Sequence, residues 1–166
     1  MAETGGVTTV VRNATRDDID ELMALRRAVA AEGRWIGAEL PLDEAGDRRT
    51  LTDSAEGGSL FVAEVDGAIV GMLGMHLLRY RVADLGMNVQ EGYRGQGIGS
   101  ALVEQAIGWA RSAGAHKIAL QHWPHNNAAR ALYDKYGFEQ EGYLRRHYPR
   151  NNGEIWDAVV MGLLLE

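Results

Sequence analysis

Val89-Gln90-Glu91-Gly92-Tyr93-Arg94-Gly95-Gln96-Gly97-Ile98-Gly99-Ser100-Ala101-Leu102 places three alternating glycines between an apolar run ending at Val89 and a helix-like pattern opening at Gly97. A strand that turns into a helix through glycines lets backbone N–H groups converge on an anion. The missing Cβ atoms permit close approach, and the helix start adds partial positive charge. A pyrophosphate fits such a turn. A tight, ligand-free connection would use the same residues, and two nucleotide-binding patterns can be tested against them. A nucleoside-triphosphate loop has a lysine after its last glycine; Gly92 and Gly97 have that spacing, but Ile98 follows. A dinucleotide fold has an acidic residue at the end of the next strand, and here that strand ends Leu120-Gln121-His122. Neither pattern fits.

Upstream of this turn the chain reads as a β-branched strand, Val7 to Val11, and an amphipathic helix from about Asp17 to Ala31. That helix carries its apolar stripe on Ile19, Leu22, Met23, Leu25 and Val29 and is closed by Gly33. A more polar helix is expected over Asp43 to Ser54. Leu60–Val65 and Ala68–Leu78, joined by Asp66-Gly67, form a hairpin. A further strand, Arg81 to Val89, continues the meander. Downstream come a helix (Gly97–Ala113), a strand (Lys117–His122) and a helix (Asn126–Tyr136). Two strands, Phe138–Tyr148 and Glu154–Leu165, close the chain around Asn152-Gly153. Antiparallel strands, one βα crossover and a terminal hairpin predict an α/β fold: a mixed, mainly antiparallel sheet with helices on its faces.

The segment Asn126-Asn127-Ala128-Ala129-Arg130-Ala131-Leu132-Tyr133-Asp134-Lys135-Tyr136-Gly137-Phe138 starts on a helix-capping residue and ends on a glycine. Asn126, Ala129 and Tyr133 are spaced by three and four, so they share one face, able to line a groove.

Taken in order, these two segments resemble the signature of the GNAT acyltransferases. Arg94-x-x-Gly97-x-Gly99 is similar to that family's (Gln/Arg)-x-x-Gly-x-(Gly/Ala), and the Asn126 segment to its Asn-x-x-Ala-x-x-Leu-Tyr-x-Lys-x-Gly-Phe. The resemblance covers roughly Val7 to Leu165. It implies one GNAT-type N-acetyltransferase domain over 7–166 with a flexible N-terminus at 1–6, acetyl-CoA as cosubstrate, and a homodimer. It assigns the coenzyme pyrophosphate to Arg94, Gly95, Gln96, Gly97, Ile98, Gly99 and Ser100. Backbone contacts to the pantetheine arm and acyl carbonyl fall to Met87 and Val89. Further cofactor contacts fall to Asn126 and Ala129, and the position facing the sulfur to Tyr133, as acid.

Composition narrows the classes. At 166 residues, 46% hydrophobic and 24% charged, the chain has the make-up of one folded domain. A net charge of −6 argues against nucleic acid and anionic membranes as partners. With no cysteine there is no disulfide, no thiolate metal site and no thioester on the protein. No N-terminal targeting pattern and no run of roughly 18 apolar residues appears, so a cytoplasmic setting is expected. The histidines are scattered, and no metal site is expected.

An alkyl ammonium of pKa ~10.4 must lose its proton before attack, which at pH 7 costs roughly 4.6 kcal/mol. A base or desolvation must supply this. Many relatives carry a glutamate six positions before Val89, where this chain has Ala83. Asp84 follows it on what alternation makes the opposite face, so a bulge would be needed to turn it inward. Glu39 and His122 are the other candidates. The expected reaction is direct attack of a primary amine, on a small molecule or a protein N-terminus, on the thioester. The alternative is an acyl-CoA-binding module without turnover.

Overall fold

Among the described residues the sheet has seven strands, in the order β1-β2-β3-β4-β5-β7-β6. The structure, a computed structural model, describes residues 8–166, so the N-terminal tail expected at 1–6 and Val7 lie outside the described residues. The strands are β1 Thr9–Asn13, β2 Leu60–Val65, β3 Ala68–Leu77, β4 Val82–Val89, β5 Lys117–His122, β6 Glu139–Pro149 and β7 Ile155–Leu164. The helices are α1 Ile19–Glu32, α2 Glu44–Glu56, α3 Ile98–Ser112 and α4 Asn127–Lys135. β4 and β5 run parallel, while the other neighbouring pairs are antiparallel. This is the α/β fold expected, with the crossover through α3 supplying the parallel pair.

Two apolar clusters fill the two faces of the sheet. On one, Leu102, Val103, Ala106 and Ala110 of α3 pack on Phe61, Leu73, Met75, Ala83 and Leu85. On the other, Leu22, Met23, Leu25 and Val29 of α1 pack on Leu60, Val62, Ile69 and Met72. The stripe predicted for α1 is therefore the buried one.

Element ends differ from expectation where turn chemistry intervenes. The first helical turn, Arg16–Asp18, is 3-10, held by a capping box between Thr15 and Asp18. β4 starts at Val82 rather than Arg81, because Tyr80 and Arg81 take positive φ in a second 3-10 turn. β1 runs to Asn13, with all five of its residues paired to β2.

Candidate active site

Only the first three residues of β4 pair with β5: Val82 with Lys117, Ala83 with Ile118 and Asp84 with Ala119. Beyond Asp84 the two parallel strands separate, leaving Leu85 to Val89 without a neighbour on that side. Two cavities open at this split, of about 510 and 280 Å³, sharing the lining residues Trp35, Ile36, Met87, Asn88, Asn126, Ala129 and Tyr133. They form one groove with a common waist.

The smaller cavity leads to the glycine-rich turn, touching Val89, Arg94, Gly95, Gly97, Gly99 and Ser100. Gly92, Gly95 and Gly97 have φ of 90°, 76° and 85°, conformations that glycine adopts without strain. Gly99 is needed for another reason: a Cβ there would meet Leu132 Cδ2 at 3.0 Å and Met87 Cε at 3.3 Å. The first capping bond of α3 runs from the Ala101 N–H to the Gly97 carbonyl. The amides of Ile98, Gly99 and Ser100 precede it and are free to donate outward. Ile98 contributes only backbone here, since its side chain is buried in the core. Val29, Ala129 and Leu132 line the apolar remainder of the cavity. A polar, amide-rich end and an apolar stem fit the diphosphate and pantetheine of a coenzyme A thioester.

Arg94 behaves differently from a free phosphate ligand. Its two terminal nitrogens donate to the Glu32 carboxylate, each at 2.7 Å, and its Nε–H donates to the Val89 carbonyl at 2.9 Å. The Arg94 pair holds Glu32 below the usual glutamate range. Gln96 donates to the Gly92 carbonyl, a bond within the loop.

Tyr133 stands at the waist, one helical turn beyond Ala129. Its burial raises the phenol well above its ordinary value, so the hydroxyl keeps its proton. Asn126 caps α4 through Oδ1, which accepts the Ala129 N–H at 3.1 Å. That commitment leaves its side-chain N–H groups as donors. His122, at the end of β5, donates Nδ1–H to the Trp123 carbonyl at 2.9 Å. Burial lowers its pKa, so the ring is neutral and Nε2 carries a lone pair with no partner.

The larger cavity receives Asp84, correcting the expectation from alternation. The β3–β4 register runs from Gly71–Val89 to Leu77–Ala83 without a bulge. Ala83 lies under α3 in the core, and Asp84 lines the groove opposite His76. The premise that position 83 faces the site is what fails. Although solvent reaches Asp84, the walls around it raise its carboxyl above the ordinary aspartate value, an effect His76 partly opposes.

Glu39 lines neither cavity. Its carboxylate accepts the Asn151 N–H at 3.0 Å and pairs with Arg150. Arg150 itself, Asn88 and Glu32 were not singled out from the sequence. Asn88 follows from alternation once Asp84 is known to face the groove; Arg150 and Glu32 depend on contacts distant in sequence. Trp35, Trp123 and Tyr148 wall the larger cavity, and Trp156 packs edge-on against Trp123 at 5.0 Å. Among the described residues no group of three potential metal ligands occurs, and no helix is long and apolar enough to cross a membrane.

The sequence profile described as the acetyltransferase (GNAT) family matches residues 22–138. The chain is 31% identical over 160 residues to the L-amino acid N-acetyltransferase AaaT of Escherichia coli strain K12, covering 92% of this chain and 95% of that protein. It is 36% identical over 75 residues to the E. coli K12 [ribosomal protein bS18]-alanine N-acetyltransferase, covering 45% of this chain and half of that one. The fold superimposes on a Sinorhizobium meliloti phosphinothricin acetyltransferase solved in complex with AcCoA, with a TM-score of 0.84 at 22% identity, covering 95% of this chain and 88% of that one. Since the profile match runs through the glycine-rich loop, the split strands and the helix of Tyr133 alike, the chain belongs to the GNAT family and is an acetyl-CoA-dependent acyltransferase.

Proposed function

We propose that the chain moves the acetyl group of acetyl-CoA onto the primary amine of a small molecule by direct attack, without an acyl-enzyme. The observation that carries this reading is the waist, where Tyr133 borders both cavities: a donor entering from one side and an acceptor from the other meet at this residue. The free amides of Ile98, Gly99 and Ser100 bind the diphosphate, and backbone of Met87 and Val89 holds the arm and polarises the acyl carbonyl. The neutral amine forms the C–N bond, the C–S bond breaks, and the departing sulfur takes a proton donated by the Tyr133 hydroxyl. Asp84, its carboxyl raised above the ordinary aspartate value by the cavity walls, accepts the proton lost by the nitrogen.

The L-amino acid N-acetyltransferase matches over 92% of this chain and the [ribosomal protein bS18]-alanine N-acetyltransferase over 45%, and the small-acceptor reading follows the former. The alternative of a binding module rested on Ala83, and Asp84 removes that ground.

The test mixes the protein, acetyl-CoA and a panel of amino acids, polyamines and peptides, and follows free thiol; the protein has no cysteine to interfere. Amine-dependent thiol release is expected, with kcat lowered about 100-fold in Tyr133→Phe while acetyl-CoA affinity holds within about 2-fold. Full kcat in that variant would remove the acid role.

A further inference from the structure

On the groove face of β3 and β4, three cross-strand pairs follow one another: Met72 opposite Asn88, Gly74 opposite Gly86, and His76 opposite Asp84. All six residues line the larger cavity. The central pair leaves its floor bare.

Neither glycine is there for the backbone, because neither has positive φ. Packing does not require them either. A Cβ on Gly86 would meet nothing within 4 Å, and one on Gly74 would touch only Leu60 Cδ1, at 3.9 Å. Gly71, earlier on β3, is the contrast: its Cβ would press on Ile98 Cγ2 at 3.2 Å and Leu102 Cδ1 at 3.3 Å. Glycine inside a strand is a standing cost, and it marks places where something approaches the backbone closely.

A second observation points the same way. Asn88 is 9% exposed, lines both cavities, and its Oδ1 accepts no hydrogen bond among the described residues. A buried amide oxygen without a partner is costly unless a ligand supplies the donor. Asp84 and Asn88 each lie two residues from Gly86, roughly 6–7 Å along the strand. A nitrogen above Gly86 is thus flanked by a carboxylate on one side and an unfilled amide acceptor on the other.

We infer that the bare Gly74–Gly86 floor seats an amine whose carbon is branched, as in α-amino acids and their amides, rather than the CH₂–NH₂ end of a polyamine or lysine side chain. This rests on the amine-acetylation reading above and narrows its acceptor class. The space left by the two absent Cβ atoms takes the second substituent on the amine-bearing carbon. Asn88 Oδ1 accepts one N–H of the attacking nitrogen and turns its lone pair toward the thioester, so Asn88 is a positioning and specificity residue. The titratable and charged groups around this seat are His76 from β3, Asp84 from β4, His122 from β5, and Arg26 of α1 paired with Asp47 of α2 across the cavity.

The test compares two isomers, 1-phenylethylamine (branched) and 2-phenylethylamine (unbranched), in the wild-type protein and in Gly86→Ala, Gly74→Ala and Asn88→Leu. The wild type is expected to favour the better enantiomer of the branched isomer in kcat/KM by about 10-fold or more, the scale of one well-fitted carbon in a pocket. Gly86→Ala should reduce that preference about 10-fold, with Gly74→Ala acting in the same direction. Acetyl-CoA affinity by calorimetry should stay at the wild-type value and the melting temperature at or above it, since the added methyls have room and glycine inside a strand is a cost. Asn88→Leu should lower kcat/KM for both isomers about 10- to 100-fold without weakening acetyl-CoA binding. Equal turnover of the isomers by the wild type, or an unchanged ratio in both glycine variants, overturns the inference; loss of acetyl-CoA affinity in Asn88→Leu overturns the role given to that residue. If no amine in either series released thiol, the failure would lie with the amine-acetylation reading itself.

Discussion

The Glu32 carboxylate at the end of α1 grips the Arg94 guanidinium through two parallel bonds of 2.7 Å, while Arg94 Nε–H holds the Val89 carbonyl. One side chain thereby fixes the helix before the groove, the strand beneath it and the glycine-rich loop proposed to bind the diphosphate. Bidentate pairs of this kind add geometric order as well as attraction. The side chains are 33% and 20% exposed, so solvent screens them only in part.

Glu32→Ala separates two roles for Arg94. If the arginine serves chiefly as a charge for phosphate, freeing it from Glu32 would tighten acetyl-CoA binding. As a brace for the loop, it should lose its purpose with Glu32. The expected outcome is a 3- to 10-fold weaker acetyl-CoA Kd in Glu32→Ala and a similar loss in Arg94→Ala. The double variant should be little worse than either single one, because residues acting as one unit are not additive. Calorimetric titration of the four proteins measures this directly.

As the proposed base, Asp84 should set the low-pH behaviour. Burial raises its carboxyl while His76, directly opposite, pulls it back, so the group loses its proton above the ordinary aspartate range. A base works only when deprotonated. Activity should therefore rise with pH through an apparent pKa above 3.8, distinct from the limb at higher pH that belongs to the amine itself, at ~8 for the α-amine of an amino-acid amide and ~10.4 for an alkylamine. Asp84→Asn is expected to erase the lower limb and cost about 100-fold in kcat/KM. If the limb survives in Asp84→Asn and disappears in His122→Gln, the proton goes to the imidazole, which burial keeps neutral to lower pH than a free histidine.

Both GNAT-like segments were readable because their chemistry is local: glycines that a turn requires, a capping asparagine, and a helix face spaced by three and four. The face of β4 was not. Alternation correctly put Ala83 and Asp84 on opposite sides, yet which side faces the groove depends on α3 covering Ala83 and Leu85, a relation between distant segments. Glu39 shows the same limit. As an acidic residue in a loop before the groove it was a reasonable base, but the β6–β7 hairpin claims its carboxylate. The arginine paired with Glu32 lies 62 residues away, and the carbonyls that accept from Arg150 more than 100, beyond any local pattern.

Acid should unfold the protein partly through Asp18. Hydrogen bonds from Arg12 hold this carboxyl at about 2, against an ordinary 3.8, despite the opposing effect of burial. A depressed carboxyl stabilises the fold above its unfolded pKa, and that contribution is lost as pH falls from about 4 through about 2. The size is at most ~2 kcal/mol. Urea midpoints at pH 5 and pH 2.5 should differ less in Asp18→Asn than in the wild type. An equal drop in both would place the acid sensitivity elsewhere.

Glu39 and Arg150 together fasten one wall of the groove, which gives a way to tell structure from catalysis. Arg150 is almost fully buried, its side chain 3% exposed. Its terminal nitrogens donate to the carbonyls of Gly37 at 3.0 Å and Ile36 at 3.3 Å, and its guanidinium lies over Trp156 and Trp123 at 4.3 and 5.1 Å. Stripping the partner from a buried charge costs about 3–5 kcal/mol when nothing else compensates. Here two carbonyls and two aromatic faces remain, so Glu39→Gln should cost less, about 1–2 kcal/mol. That would lower Tm by roughly 2–8 °C for a chain of this size. Because Ile36 and Gly37 line the acceptor cavity, a loosened strap should also raise the acceptor KM. The pH–rate profile should keep its shape, since the carboxylate proposed to take the proton is Asp84. A profile that lost its lower limb in Glu39→Gln, with Tm unchanged, would return Glu39 to the chemistry and make the strap incidental.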